Sequence, residues 1–288
     1  MHVFVTSASG FVGSAVVQEL LSHGHTVIGL ARSQASADKL KLAGAEVLHG
    51  SVRDLEALKA GATQADGVIH LAFNHDFSRW LDSCREDGEA IDALGSALVD
   101  TGKPLVVTSG VGVLSVSRAP GSTTPCAEDD PSPTSASQMP RIQSELSALP
   151  LAQQGVRVSV VRLTPTVHGK GDVGFIPAMI RAARDRSAAA YVETGDNVWP
   201  TVHRDDAAVL YRLALEKASA GDIAAVIGKS LDVSVNSLKK DEADAHFGRL
   251  AHFAEMDLPA SSDKTKATLG WEPRQIGLLE DLETGSYF

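Results

Sequence analysis

Thr6-Ser7-Ala8-Ser9-Gly10-Phe11-Val12-Gly13 lies between an apolar run, residues 3–6, and an amphipathic stretch, Phe11–Ser22. In the latter, Val12, Val16 and Leu20 share one face, with Val17 and Leu21 beside them, and Gly24 follows as a stop. Gly10 and Gly13 match the last two glycines of a GxxGxxG spacing, and Ser7 stands where the first belongs. Between a strand and a helix, such glycines let backbone approach a pyrophosphate, whose charge the helix N-terminal amides meet. The stretch reads as a dinucleotide-binding turn rather than an ordinary glycine-containing βα turn. Its candidate contacts are Thr6, Ser7, Ser9, Gly10, Phe11 and Val12.

Further along, residues 26–31, 46–48, 68–72 and 105–108 are short, nearly continuous apolar runs. Runs of that kind suit strands buried on both faces, as in a parallel sheet. Helical patterns separate them, near 36–43, at 54–60 with Asp54 as N-cap, and at 84–101 ending before Gly102. Residues 118–137 hold four prolines and the acidic run Glu128-Asp129-Asp130, and read as a long loop with those acids in solvent. A helix at 141–154 follows, with Pro140 in its first turn and Pro150 ending or kinking it, then a β-branched strand at 156–163. Beyond Thr164 come helices at 176–184 and 205–217 and acidic helical segments from Asp222 onward. The expected fold is α/β: a doubly wound parallel sheet over residues 1–163 and a smaller substrate lobe over 164–288, interleaved with it.

Composition narrows the function. Among 288 residues, 36 are Asp or Glu and 26 are Lys or Arg, a formal net charge of −10. So acidic a surface repels phosphate backbones, which argues against nucleic acid as the partner. No apolar run approaches the ~18 residues that cross a bilayer, and MHVFVTSASG lacks a signal peptide's basic start. Cys84 and Cys126 form no CxxC and no metal-ligand spacing, so neither a disulfide framework nor a metal site is expected. A cytoplasmic globular protein acting on a small molecule remains, with no membrane partner.

The second strand ends in Leu30-Ala31-Arg32-Ser33, without the acid that would hold the ribose 2′-hydroxyl of NAD. A guanidinium and a hydroxyl suit a 2′-phosphate, which a carboxylate would repel. Arg32 and Ser33 thus point to NADP(H), against the plainer reading of a surface arginine.

The ordered segments TSASGFVG, GLARS, VIHLAF (68–73) and VVTSG (106–110) resemble the short-chain dehydrogenase/reductase superfamily. VVRLTPTVHGKGD (160–172), WPTVHRDDAA (199–208) and DKTKATLGWEP (263–273) are similar to segments of its extended and atypical branches, the NAD-dependent epimerase/dehydratase-like proteins. The resemblance spans most of residues 3–273. It implies a Rossmann fold, and it adds Ser51, Val52, Leu71, Ala72, Phe73, Thr108, Thr164 and Val167 to the cofactor contacts. It also implies a pocket walled by Phe73, Met139, His168, Tyr191 and Trp199, with His168 where relatives place a tyrosine near the nicotinamide. Relatives often dimerise through the helices at 84–101 and 141–154, so a homodimer is an open expectation. Between the helix at 205–217 and the next, the family places a strand and a loop; a helical reading from Asp222 leaves no room for either.

The departures bear on the chemistry. The family's Y-x-x-x-K is missing: Arg141 falls at the lysine, Ser137 or Gln138 at the tyrosine. Ser109 only approximates the upstream serine, with Gly110 close to the aligned place, and Asp87 is the nearest polar residue to an absent asparagine. The candidate catalytic residues are therefore Ser109, Asp87, Arg141 and Tyr191, with a burial-raised Asp87 as one potential proton donor. The leading reading is an NADP-dependent reductase acting by hydride transfer on a small carbonyl, imine or conjugated substrate. The alternatives are a nucleotide-sugar epimerase/dehydratase-like enzyme and a catalytically silent NADP-binding sensor.

Overall fold

The computed structural model describes residues 1–118, 122, 124–192, 194, 196–217, 223–225, 236–238 and 260–283. Its centre is a sheet of seven parallel strands. Strands β1 (His2–Val5), β2 (Thr26–Ala31), β3 (Glu46–His49), β4 (Gly67–His70), β5 (Pro104–Gly110) and β6 (Arg157–Leu163) are joined by a later strand, Ile223–Ala225. In space the order is Ile223–Ala225, β6, β5, β4, β1, β2, β3. The order reverses between β1 and β4, and a doubly wound sheet opens a crevice at the carboxyl ends there.

Alternation along each strand divides the core. Val3 and Val5 face helices α1 (Phe11–Ser22) and α2 (Gln34–Ala43), while Phe4 faces α3 (Leu55–Gln64) and α4 (Trp80–Ser96). Both layers exclude water: Val3, Phe4 and Val5 are each 0% exposed. Asp54 caps α3 as its sequence position predicts, accepting from Ala57 N at 3.1 Å. The helix α4 differs from the expected 84–101. Asp76 caps a short 3-10 turn, Phe77–Arg79, that feeds α4 at Trp80, and a further turn closes with Leu98 N on Gly95 O. The predicted helix at 141–154 divides into a 3-10 turn (Pro140–Ile142), α5 (Gln143–Ala148) and a second 3-10 stretch (Leu149–Gln154). Pro140 and Pro150 each lack the amide a continuous helix needs.

Past β6 the chain builds a smaller layer from β7 (Thr166–His168), α6 (Phe175–Arg186), β8 (Ala190–Val192) and β9 (Thr201–His203). It then returns: α7 (Arg204–Lys217) packs on α1, and β10, the strand Ile223–Ala225, pairs parallel with β6. The helical reading from Asp222 is thus corrected, because the Ile-Ala-Ala run completes the sheet edge where the family resemblance requires a strand. β11 (Asn236–Leu238) pairs with β8. The lobe beginning at 164 is accordingly not continuous in space, since residues 204–217 and 223–225 belong to the main layers.

The C-terminal segment is fastened at two points. Trp271, 0% exposed, donates from Nε1 to Asp206 O at 2.9 Å, and both Asp206 carboxylate oxygens accept the amides of Arg274 and Gln275. Glu128, expected in solvent, is 3% exposed: it accepts from Thr265 N (2.9 Å) and Oγ1 (2.6 Å) on α8 (Asp263–Leu269). Two donors on one oxygen outweigh the water it gives up.

Candidate active site

The glycine-rich turn has the geometry a pyrophosphate needs. Ser7 takes φ +53°, the left-handed conformation that favours the glycine it replaces. Gly10 N donates to Ser7 O at 2.8 Å, and a Cβ at Gly13 would lie 2.0 Å from that oxygen, so only glycine fits position 13. No side chain caps α1, and its first internal bond is Ser14 N to Gly10 O. The amides of Phe11, Val12 and Gly13 therefore precede the helical ladder and are available to an anion. Arg204 at the start of α7 lies over the Phe11 ring at 5.3 Å. These residues fit a dinucleotide.

Other expected contacts contribute shape more than hydrogen bonds. Arg32 has no ion-pair partner among the described residues, whereas Ser33 Oγ is occupied as N-cap of α2, accepting from Ser36 N at 3.2 Å. Ser51 Oγ accepts from Arg53 N, Thr164 Oγ1 donates to Thr166 O, and Val52 and Val167 are half-buried. Thr6 Oγ1 accepts the amides of Leu71 (3.0 Å) and Ala72 (3.1 Å). Thr108 Oγ1 donates to His70 O at 2.7 Å and lies 2.7 Å from Tyr211 Oη. Both threonine hydroxyls are thus spent inside the protein.

From Thr6 a buried polar chain runs to the crevice. With two amides on its lone pairs, the Thr6 hydroxyl must donate to His70 Nδ1, 2.9 Å away. That leaves His70 neutral, with Nε2–H directed at Asp87 Oδ1 (3.3 Å). Asp87 Oδ2 accepts from Ser144 Oγ (2.6 Å) and Arg141 Nη1 (3.1 Å). Burial alone would push the Asp87 carboxyl up, but Arg141, His70 and Ser144 together hold it below the usual carboxylate range. The expectation of Asp87 as proton donor is therefore corrected: it is an ionised anchor.

What Asp87 anchors is Arg141. Nη2 donates to Thr108 O at 3.0 Å, Nη1 also contacts Ser144 Oγ, and the guanidinium lies 4.1 Å over the Phe73 ring. A guanidinium has five N–H groups. Those contacts leave Nε–H and one Nη2–H without a described partner, on a side chain 13% exposed. Arg141 thus sits at the carboxyl ends of β4 and β5 as a fixed cation with donors to spare.

The other candidates lie elsewhere. Ser109 is 3% exposed and turned toward Glu145 of α5, so it is corrected from a cleft donor to an interior side chain. It lies near Glu145, whose carboxyl burial would raise; Arg162, Ser109 and Ser132 bring it below the usual value instead. His168 is 1% exposed, bound through Nδ1 to Asp281 Oδ2 at 2.8 Å and edge-on to His203, which removes it from the expected pocket wall. Asp281 belongs to α9 (Leu278–Glu283), which closes over the histidine. Trp199 packs on Phe175 at 4.3 Å, Met139 packs beside Ile142, and Tyr191 is half-buried on β8. No described contact joins Tyr191 to Arg141. Ser137 and Gln138, the alternatives at the family's tyrosine position, are both exposed, and Ser137 pairs with Ser135.

The wall that does stand beside Arg141 was not anticipated beyond Phe73. His75 and Trp80 meet the Phe73 ring edge-on at 5.1 and 5.4 Å, and Phe77 stacks on Trp80 at 5.3 Å. The signal was present in FNHDFSRW, four rings in eight residues just after a parallel strand, where ligands bind in such folds. A separate cavity of about 540 Å³ lies between α1, α2 and α7, lined by Ser9, Ser14, Lys39 and Arg204 among others. It includes none of Phe73, Asp87 or Arg141.

The turn and the crevice have the form of a Rossmann-like, dinucleotide-binding α/β fold. The NAD dependent epimerase/dehydratase family profile matches residues 3–228, and the chain belongs to that family. It is 44% identical over 302 residues to an uncharacterised protein of Schizosaccharomyces pombe, covering 100% of both chains. It is 26% identical, over 77% of this chain and 67% of the relative, to the 4-hydroxy-2-methyl-3-oxo-4-farnesyl-3,4-dihydroquinoline-1-oxide ketoreductase of Stigmatella aurantiaca. Among solved structures, a dTDP-glucose 4,6-dehydratase from Streptomyces venezuelae with NAD bound superposes with a TM-score of 0.77 at 21% identity, covering 99% of this chain and 96% of that one. It shares the fold. Among the described residues no group of side chains is arranged to hold a metal, and no helix is long and apolar enough to cross a membrane.

Proposed function

We propose that this protein is an NADP(H)-dependent reductase of a small carbonyl, imine or conjugated substrate that works without the usual tyrosine and lysine. The observation that carries the reading is Arg141, clamped by Asp87 and Thr108 with N–H groups left over at the crevice. Phe11, Val12 and Gly13 would hold the pyrophosphate through their amides, and Arg32 would meet a 2′-phosphate. A reduced nicotinamide bound there supplies hydride. Arg141 would orient the acceptor oxygen and stabilise charge developing on it, in a site whose donors are already fixed. It keeps its own proton throughout, because a guanidinium stays protonated and charged in proteins. Phe73, Phe77 and Trp80 offer the acceptor an apolar wall and exclude water from one side.

The family match also supports a second reading, a nucleotide-sugar epimerase or dehydratase. Oxidising a sugar hydroxyl needs a base, and Ser137 or Gln138 falls where the family carries its tyrosine. One set of assays separates these readings from a silent sensor: purified protein with NADPH and a ketone, an enone or an iminium ion, and separately with NAD+ or NADP+ and a nucleotide sugar. NADPH loss with the small acceptors is expected. Conversion of the nucleotide sugar alone would favour the epimerase, and NADPH binding with turnover of nothing would leave the sensor.

A further inference from the structure

The reductase reading, on which this inference rests, leaves one requirement unmet. Hydride addition to a ketone places an electron pair on oxygen, and that oxygen must take up a proton. Arg141 cannot give one. Asp87 is held ionised, and His70 is locked neutral between Thr6 and Asp87. Tyr211 is 0% exposed, with burial pushing its hydroxyl far up. The Cys84 thiol is buried and pushed up to about 11 by desolvation. His168 is sealed beneath Asp281.

We propose that His75 is the catalytic acid of this site, passing its ring proton to the oxygen of the acceptor that Arg141 orients. The placement is geometric. Phe73 carries the Arg141 guanidinium on its face at 4.1 Å and meets the His75 ring edge-on at 5.1 Å, so one aromatic side chain spaces both groups at the carboxyl end of β4. Part of the His75 ring is open to solvent, which can reload it, while the rest packs against protein, Phe73 included; Arg141 lies deeper. The groups facing it are Arg141 from the 3-10 turn before α5, Asp87 from α4, and the Phe73 carbonyl of its own loop. Protein packed around the ring and the positive charge of Arg141 push its pKa down; the Phe73 carbonyl and Asp87 oppose them. A proton held less tightly is given up more readily, and the protonated fraction falls as pH rises. The step balances: a C–H bond of the reduced nicotinamide breaks and a C–H bond forms at the carbonyl carbon. The carbonyl π pair moves to oxygen, the imidazolium N–H breaks as O–H forms, and neutral His75 regains a proton from water.

The test sets a ketone against an acceptor whose hydride step needs no proton. Wild type and His75→Gln are assayed with NADPH on 1-tetralone and on an N-methyl-3,4-dihydroisoquinolinium ion across pH 5–9. The ketone-to-iminium rate ratio is expected to fall about fiftyfold or more in the variant, within the range general acids supply. In the wild type, ketone kcat should decline as pH rises through the His75 pKa, and the variant should lose that decline. In the cofactor-free protein, the His75 ring should titrate below the ordinary histidine value by NMR. An unchanged ratio and pH profile in His75→Gln, or an ordinary or raised His75 titration, would overturn the proposal while leaving the reductase reading intact. Wild-type turnover of neither acceptor would overturn the reductase reading and the proposal with it.

Discussion

Arg162 and Glu145 meet where water does not reach, at 0% and 1% exposure, whereas Arg141, four residues before Glu145, reaches Asp87 with its guanidinium 13% exposed at the crevice. Both are guanidinium–carboxylate pairs, and both carboxyls are held below their usual range. The enclosed pair uses four of the five Arg162 N–H groups. Arg162 Nε and Nη2 bind the two Glu145 oxygens at 2.9 Å each, with further bonds to Ser132 Oγ and Glu128 O. It ties β6, α5 and the long loop together. The open pair leaves Arg141 Nε–H and one Nη2–H without a described partner, on a side chain that is partly exposed. The same chemistry makes a scaffold where it is sealed and a site where one edge is left to solvent.

Breaking the sealed pair should have the largest effect. Glu145→Gln leaves the Arg162 charge buried without a partner, at a cost of about 3–5 kcal/mol in unfolding free energy by urea titration. Replacing both partners together, Glu145→Leu with Arg162→Met, should recover most of that loss, since no charge is left stranded. A double variant as unstable as the single would show that shape, not charge, holds this region.

The open pair should respond in rate rather than in cofactor affinity. Arg141→Met is expected to lower ketone kcat about a hundredfold, the effect of losing one preorganised donor to a developing oxyanion, with NADPH Kd changed less than about twofold. Asp87 then loses its counter-charge, so some stability is lost as well. A variant that loses stability but keeps its residual kcat would move this pair to the scaffold class. Further out, Arg32→Ala should weaken NADPH about tenfold to a hundredfold and leave NADH unchanged, the cost of one charge-assisted phosphate contact, ~1.5–3 kcal/mol. Equal wild-type affinities for both cofactors by titration would remove the 2′-phosphate reading.

The contrast also explains what was legible in the sequence. The glycine turn, β2 and α1 were readable because local periodicity and a steric demand at Gly13 fix them within a few residues. The Arg141–Asp87 pair was visible as two candidate residues, but not as a pair: 54 positions separate them, and Asp87 looked free to hold a proton. Glu128 was misjudged because an acid in a Pro-rich loop carries no local sign of its partner, Thr265, 137 residues away. Ile223–Ala225 was misjudged because three residues are too few to show a period, and only the open edge of β6 makes them a strand. Tertiary partners decide polar residues, and one chain read alone does not display them.

The smallest expected effect concerns acid, and it follows from both pairs. Asp87 and Glu145 each have a folded-state pKa below the unfolded one, so the folded chain holds fewer protons than the unfolded chain near pH 4. Stability rises with pH wherever the unfolded state binds more protons. The contribution of each carboxylate is therefore complete above its unfolded value and is lost as pH falls through its folded value. One proton changes unfolding free energy by at most about 1.4 kcal/mol per pH unit. Asp87→Asn should remove one such increment from the slope of stability between pH 5 and pH 3, measured by urea titration at each pH. Its absolute stability will differ from wild type for other reasons, since Arg141 loses its counter-charge, so the slope is the quantity to compare. If the slope is unchanged, Asp87 has the same pKa folded and unfolded and Arg141 does not favour its ionised form; if the slope steepens, Asp87 keeps its proton in the folded protein, and the clamp that fixes Arg141 would be a neutral hydrogen bond instead of an ion pair.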